Sequence, residues 1–211
     1  MLSGVDLIIV DGDDTIWYDR RYFSSLYGRI RRIVGEANSA YLNMAVKNSS
    51  AGEAGFINAV RGYIESLGIE DASEVDSAIA EFANHPMELL PGARAALRTL
   101  SSSVQLILYT SGIRSEQERK ISRSGIGNLF GSFIIVESKT EKSLGSLIDS
   151  LGVDSGATIA IGNSLKYDIL PALAIGLRPI WLNHEENKHG RDAVRPEDVL
   201  EISAWDDLMR L

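Results

Sequence analysis

The sequence predicts an α/β fold: a Rossmann-like three-layer core around a central parallel sheet, plus a small α-helical domain. Three observations predict it. Five short, apolar, β-branched segments recur along the chain. Helix-length segments separate the later ones. After the first comes a long interval with helical patterning only. Apolar strands alternating with helices are the mark of a parallel sheet covered on both faces.

The first strand is read at Val5–Val10 (VDLIIV). From Asp19 onward, Phe23, Leu26, Tyr27, Ile30, Ile33 and Val34 recur at three- and four-residue steps, one face of a helix. Gly55–Leu67 and Ser73–Ala83 read as further helices. The expected division is therefore a core made of 1–18 and 89–211, and a helical insert at 19–88. Beyond the insert the expected order is helix Pro91–Ser101, strand Val104–Tyr109, helix Ser115–Ser124 and strand Phe133–Val136. Helix Thr140–Leu151, strand Ala157–Ile161, helix Ile169–Ile175 and strand Arg178–Leu182 complete it. Ser138, with Glu141 three residues on, has the spacing of a capping box. Gly152 and Gly176 suit left-handed helix ends. Pro171 is tolerated only in a first helical turn, which sets that helix to begin near Asp168 or Ile169. The polar tail from Asn183 to about Glu197 reads as loop, and Ser203 as the cap of a last short helix.

Composition narrows the function. The 211 residues are 45% hydrophobic and include no cysteine, which excludes disulfides, thiolate metal sites and cysteine nucleophiles. Twenty-nine acids against 21 bases give a net charge of −8, an expectation of no nucleic-acid partner and no anionic membrane. No apolar run approaches the ~18 residues of a membrane span, and Asp6 interrupts any signal-peptide pattern. The expectation is a cytoplasmic protein; a homodimer is compatible with the sequence, which does not fix the oligomeric state. Within the insert, six bases face two acids from Asp19 to Lys47, and one base faces eight acids from Asn48 to Glu88. Arg29, Arg31 and Arg32 could grip an anionic ligand, against the plainer reading of a solvated helix face.

Ligands of open parallel sheets bind beyond the carboxyl ends of the strands. After the first strand stands Asp11-Gly12-Asp13-Asp14-Thr15, after the second Thr110-Ser111-Gly112, after the third Ser138-Lys139-Thr140. After the fourth stands Gly162-Asn163-Ser164, then Asp168. Three carboxylates, hydroxyls, an amide and a lysine are thus expected on one edge. Crowded carboxylates repel and call for a cation. Oxygen donors without cysteine or histidine point to Mg²⁺. A hard cation, a lysine and hydroxyls together suit a phosphoryl group.

LIIVDGDDT, the Thr110 of LILYTSG, a lysine before a helix, and IGNSLKYD follow one another in order. In these four motifs the chain resembles the haloacid dehalogenase superfamily over nearly its whole length, and a helical cap between the first two motifs is common there. The resemblance implies a Mg²⁺-dependent phosphohydrolase acting on a small phosphorylated metabolite. Asp11 would be the nucleophile that forms an aspartyl-phosphate. Asp13 would be the acid for the leaving oxygen and then the base for water. Mg²⁺ would be held by Asp11, the Asp13 carbonyl and Asp168, and the phosphoryl oxygens by Thr110, Ser111 and Lys139, with Thr15 and Asn163 in support. Lys139 lies 24 residues before Asn163, a spacing that favours it over Lys142 as the motif lysine. Asn163 stands where the commonest pattern has aspartate, which puts metal affinity in doubt. Dehalogenating and phosphonate-cleaving members lack the second aspartate, so Asp13 favours phosphate esters. A phosphomutase of the same superfamily and a catalytically inactive phosphate-binding protein are the alternatives. A phospho-receiver module would need an acceptor aspartate some forty residues after the first acids, where Ser49–Val60 offers only Glu53. Trp17 and Tyr18 read as hinge packing or substrate lining, and His184 and His189 as loop residues.

Overall fold

The computed structural model describes residues 4–35, 42–44, 52–69, 72–187 and 193–210. The chain divides into two compact units, Met1–Tyr18 with Glu88–Leu211, and Asp19–Met87.

The first unit is an α/β core. Six parallel strands, β1 (Leu7–Val10), β2 (Gln105–Ser111), β3 (Ser132–Val136), β4 (Thr158–Gly162), β5 (Arg178–Leu182) and β6 (Leu200–Ile202), lie in the order β3-β2-β1-β4-β5-β6. The interior strands β1 and β4 are buried throughout, as runs without polar alternation must be when both faces are covered. Leu7, Ile9, Ile107, Tyr109 and Ala160 pack with Leu144, Leu147 and Ile148 of helix α6 (Glu141–Leu151) in one core cluster. The other core helices are α4 (Ala93–Ser101), α5 (Arg114–Ser124), α7 (Leu170–Ala174) and α8 (Trp205–Leu208).

Strand order decides where the site lies. The chain runs outward from β1 to β2 and β3, then returns to lay β4 against the other side of β1. This reversal opens a crevice at the carboxyl ends of β1 and β4. Val10 pairs with Ile161 there, and the Asp11 N–H donates to the Ile161 carbonyl at 2.9 Å.

Several local expectations are corrected. Helix α6 is capped by Thr140, whose hydroxyl accepts from the Ser143 N–H while the Ser143 hydroxyl accepts from the Thr140 N–H. Ser138 only lends its carbonyl to Ser143, so the box sits two residues later than the Ser138–Glu141 spacing suggests. Helical structure before Pro171 starts at Leu165, in a π-helical turn Leu165–Ile169 that leads into α7. Such a turn closes a wider ring and left no trace in the proline spacing. Ala204, not Ser203, caps α8; the Asp207 carboxylate folds back onto both their N–H groups. β6 stands between the expected loop, which ends near Glu197, and Ser203; a three-residue strand is below the reach of periodicity and is not expected there.

The second unit is helical in its described residues, with α1 (Asp19–Val34), α2 (Gly52–Ser66) and α3 (Ser73–Asn84). Leu26, Ile30 and Val34 are buried on the predicted face of α1; the side chain of Phe23 lies outside the described residues. Arg29 of the basic stretch pairs with Glu81 of the acidic one, and within the acidic stretch Arg61 pairs with Asp76 at 3.0 Å.

Candidate active site

The turn after β1 is built by sequence-local forces. The Gly12 carbonyl accepts from the N–H groups of Thr15 and Ile16 at 3.2 and 2.8 Å, curling the chain back at once. Asp14 takes a left-handed φ of 53°, which a short polar residue tolerates. Gly12 is required for space: a Cβ there would stand 2.7 Å from the Trp17 ring. That ring turns its indole N–H to the Asp13 carboxylate at 2.6 Å. The tail supports the turn from outside, where the Trp205 indole donates to the Thr15 carbonyl at 2.8 Å. His184, in a loop as expected, lies 2.9 Å from the Asp14 carbonyl; His189 lies outside the described residues.

Asp11, Lys139 and Asp168 form one buried cluster. The Lys139 ammonium donates to Asp11 and, at 2.6 Å, to Asp168. Thr15 donates to the other Asp11 oxygen at 2.8 Å, and Asn163 Oδ1 lies 3.4 Å from the same hydroxyl. The π turn presses Asp168 back onto β4: its Oδ2 accepts the Ser164 N–H at 2.9 Å, and any Cβ at Gly162 would come within 2.4 Å of it. Lys139 also sits 5.8 Å above the Tyr109 ring. Lys142 is exposed and takes no part in the cluster.

One ammonium thus serves two carboxylates. Burial pushes the Asp11 carboxyl up to about 7; the Lys139 charge opposes the rise and the neighbouring Asp168 adds to it. Burial alone would lower the Lys139 pKa, but the charges of Asp11 and Asp168 outweigh it and drive it upward, so the lysine stays charged.

Asp13 lies on the same edge and acts on Asp11 by its charge, but its carboxylate belongs to a second cluster. Its side chain points to Lys120 of α5, whose ammonium is 2.8 Å from both oxygens. Gln117 adds an N–H at 2.9 Å. Burial alone would raise the Asp13 pKa, but the Lys120 charge and the hydrogen bonds from Lys120, Gln117 and Trp17 hold it below the usual carboxylate range. Thr110 and Ser111, expected just past the strand, are its last two residues and reach the site through Gln117. The Thr110 hydroxyl lies 3.4 Å from Gln117 Oε1, and the Ser111 carbonyl 3.3 Å from Gln117 Nε2.

Lys120 and Gln117 escaped the sequence reading. The available signal was their spacing: Gln117, Lys120, Ile121 and Ser124 share the buried face of α5, where polar side chains need a partner. Asn187 was also missed. It accepts from the Asn163 side chain at 3.1 Å and donates to the Asn163 main chain at 2.9 Å.

Among the described residues no three acidic, histidine or cysteine side chains form a metal-binding group. Asp11 and Asp168 bring two carboxylates together on the Lys139 ammonium. That all-oxygen set fits Mg²⁺, which typically takes one or two carboxylates and keeps several waters.

A family model for haloacid dehalogenase-like hydrolases matches residues 5–176. The N-acylneuraminate-9-phosphatase of Mus musculus is 34% identical over 103 residues, 46% of this chain and 42% of that protein. The pyrimidine 5'-nucleotidase YjjG of Escherichia coli is 26% identical over 109 residues, 48% of each. The chain spans under half the length of the curated relatives it matches. A haloacid dehalogenase-like hydrolase structure from Xanthomonas campestris shares the fold with a TM-score of 0.73, at 24% identity over 98% of this chain and 95% of that one. Among the described residues no helix is long and apolar enough to cross a membrane.

Proposed function

The chain belongs to the haloacid dehalogenase-like hydrolases, and within that family we propose that it is a cytoplasmic, Mg²⁺-dependent phosphohydrolase of small phosphorylated metabolites. The observation that carries the reading is the buried cluster at the sheet's reversal point, where Asp11 and Asp168 share the single ammonium of Lys139. A site with more carboxylate than cation suits a further positive charge, and a fixed lysine beside it suits an anionic group.

Asp11 attacks phosphorus and is released again when water cleaves the aspartyl-phosphate, which splits one difficult transfer into two. Thr15 orients the Asp11 carboxylate by its 2.8 Å hydrogen bond. Lys139 neutralises phosphoryl oxygens, with Thr110 and Ser111 at the neighbouring strand end. Asp13 gives a proton to the leaving oxygen and takes one from water. Asp11, the Asp13 carbonyl and Asp168 would hold Mg²⁺, with Asn163 in support. When bound, the ion supplies positive charge to the phosphoryl group. Substrate choice falls to the helical unit, as the resemblance implies.

The test is phosphate release from a panel of phosphate monoesters, including an acylneuraminate phosphate and a pyrimidine nucleotide, with MgCl₂ and with EDTA. Release with MgCl₂ that EDTA abolishes is the expected result. Full activity after exhaustive chelation removes the metal, and no release from any ester removes the reading.

A further inference from the structure

We infer that Tyr109 is a positioning residue for Lys139, its hydroxyl tied to the turn that carries the lysine and its ring set against the ammonium, so that one N–H is left for a phosphoryl oxygen. The inference rests on the phosphohydrolase reading above and deepens it.

Tyr109 is 4% exposed and stands in an apolar cluster with Ile107, Leu144 and Leu147. Packing alone asks for no hydroxyl there, and a buried phenol needs a partner. Its partner is the Ser143 hydroxyl, at 2.8 Å. That serine closes the capping box of α6. Its oxygen accepts the Thr140 N–H at 2.9 Å, and its proton can go to the Ser138 or the Thr140 carbonyl, at 3.2 and 3.0 Å. A serine hydroxyl has one proton and two lone pairs, which leaves one lone pair for an O–H. The Thr140 hydroxyl is 3.1 Å away but exposed, with solvent as an alternative; the buried Tyr109 phenol has none. Lys139 stands between Ser138 and Thr140, so the phenol is anchored to the segment that holds the lysine's backbone.

The far end of the same lysine meets the same ring. The ammonium lies 5.8 Å from the ring centroid, within the range at which the negative face of an aromatic ring attracts a cation. Tyr109, Lys139, Asp11 and Asp168 line one cavity of about 20 Å³, together with the apolar Ile9 and Leu144. That is room for about one water and not for a phosphate ester. Tyr109 therefore acts through Lys139 and does not touch the substrate.

What the ring supplies is support without competition. An ammonium has three N–H groups, and Lys139 gives one to Asp11 and one to Asp168. An amide or hydroxyl in the place of the ring would bid for the third. The ring attracts the charge but offers it no oxygen, because its own is engaged by Ser143. The third N–H is thus kept for the charge that builds on the phosphoryl group.

The experiment compares wild type, Tyr109→Phe and Tyr109→Leu by kcat/KM on nitrophenyl phosphate with MgCl₂, by calorimetric binding of inorganic phosphate, and by thermal melts that fix a temperature at which all are folded. Tyr109→Leu removes the face that supports the cation, and its kcat/KM and phosphate affinity are each expected to fall about ten-fold. Tyr109→Phe keeps the ring and loses only the tie to Ser143, so both quantities should stay within about two- to three-fold of wild type. Tyr109→Met, nearer to tyrosine in volume, carries the same expectation if Tyr109→Leu does not fold. A folded Tyr109→Leu that melts lower but keeps wild-type kcat/KM and phosphate affinity overturns the inference and leaves the phosphohydrolase reading standing. Equal losses in Tyr109→Phe and Tyr109→Leu overturn it too, because the ring is then not the support. A wild type that neither releases nor binds phosphate overturns the reading and this inference with it.

Discussion

The two lysine–carboxylate clusters beside the β1 turn are built from the same kinds of group in different surroundings. Lys139 is shared by two buried carboxylates, which leaves a negative charge uncompensated. Lys120 straddles the Asp13 carboxylate, and two neutral donors address the same group. The imbalance shows in the acids themselves. Asp11 is pushed up to about 7, chiefly by burial, while Asp13 lies below its ordinary range, the Lys120 charge overcoming burial. An unbalanced site is ready to take a cation or exchange its partner for an anionic ligand. A carboxylate enclosed by three donor groups, as Asp13 is, is held still. Asp11 and Asp13, two residues apart, thus sit in different surroundings, one sharing its lysine with a second acid and the other enclosed by donors.

The largest break in the comparison is Asp11→Asn. The amide cannot form a phosphoenzyme with any substrate, so phosphate release should fall to background for aryl and alkyl esters alike. Asp13→Asn should separate them. Proton help to a leaving group contributes a factor of ~10² to 10⁴, most for an alkoxide and least for a stabilised phenolate. The first-step burst should therefore fall far more with an alkyl phosphate than with nitrophenyl phosphate. Equal losses would show that Asp13 does not protonate the leaving group.

Stability gives the next test. Lys139→Met strands two buried acids, and breaking a buried pair costs about 3–5 kcal/mol. Lys120→Met should cost clearly less, because the Asp13 side chain is 28% exposed and keeps Gln117 and Trp17, whereas those of Asp11 and Asp168 are 9% and 7% exposed. Thermal melts in EDTA measure both. MgCl₂ should restore part of the loss in Lys139→Met and none in Lys120→Met, since the proposed ion ligands Asp11 and Asp168 lie in the first cluster.

What the sequence disclosed followed the range of each interaction. The apolar runs of β1, β2, β4 and β5 announce strands because burial on both faces acts residue by residue. Asp11, Thr15, Lys139 and Asp168 stood out because each lies within a few residues of a strand's end, and the structure brings these four together. Lys120 and Gln117 lie inside a helix and meet Asp13 across more than a hundred positions, so no local pattern records the pairing. Ser138 and Thr140 both have cap chemistry, and the reciprocal pair that forms is Thr140 with Ser143, three residues on. β6 has three residues and exists because β5 offers an edge.

The smallest expected effect concerns Asn163, which could decide whether the unbalanced cluster is held one charge short by design. Its amide N–H₂ donates to Asn187 Oδ1 at 3.1 Å. Asn187 in turn donates to the Asn163 main-chain carbonyl at 2.9 Å, so its own amide cannot reverse without losing that bond. In Asn163→Asp a carboxylate oxygen would face a carbonyl oxygen, and a third acid would stand beside Asp11 and Asp168. An acceptor left facing an acceptor costs about 1–3 kcal/mol, and each kcal/mol lowers the melting point of a chain this size by roughly 2–4 °C. Without divalent ions the variant should therefore melt several degrees lower. With them it should recover, because the added charge that destabilises the empty cluster attracts the ion. A Mn²⁺ titration, read by the ion's own spectroscopic signal and not by turnover, should show tighter binding than in wild type. Unchanged affinity would place residue 163 outside the ion's reach and leave Asn163 as a joint between the β4 turn and the Asn187 loop.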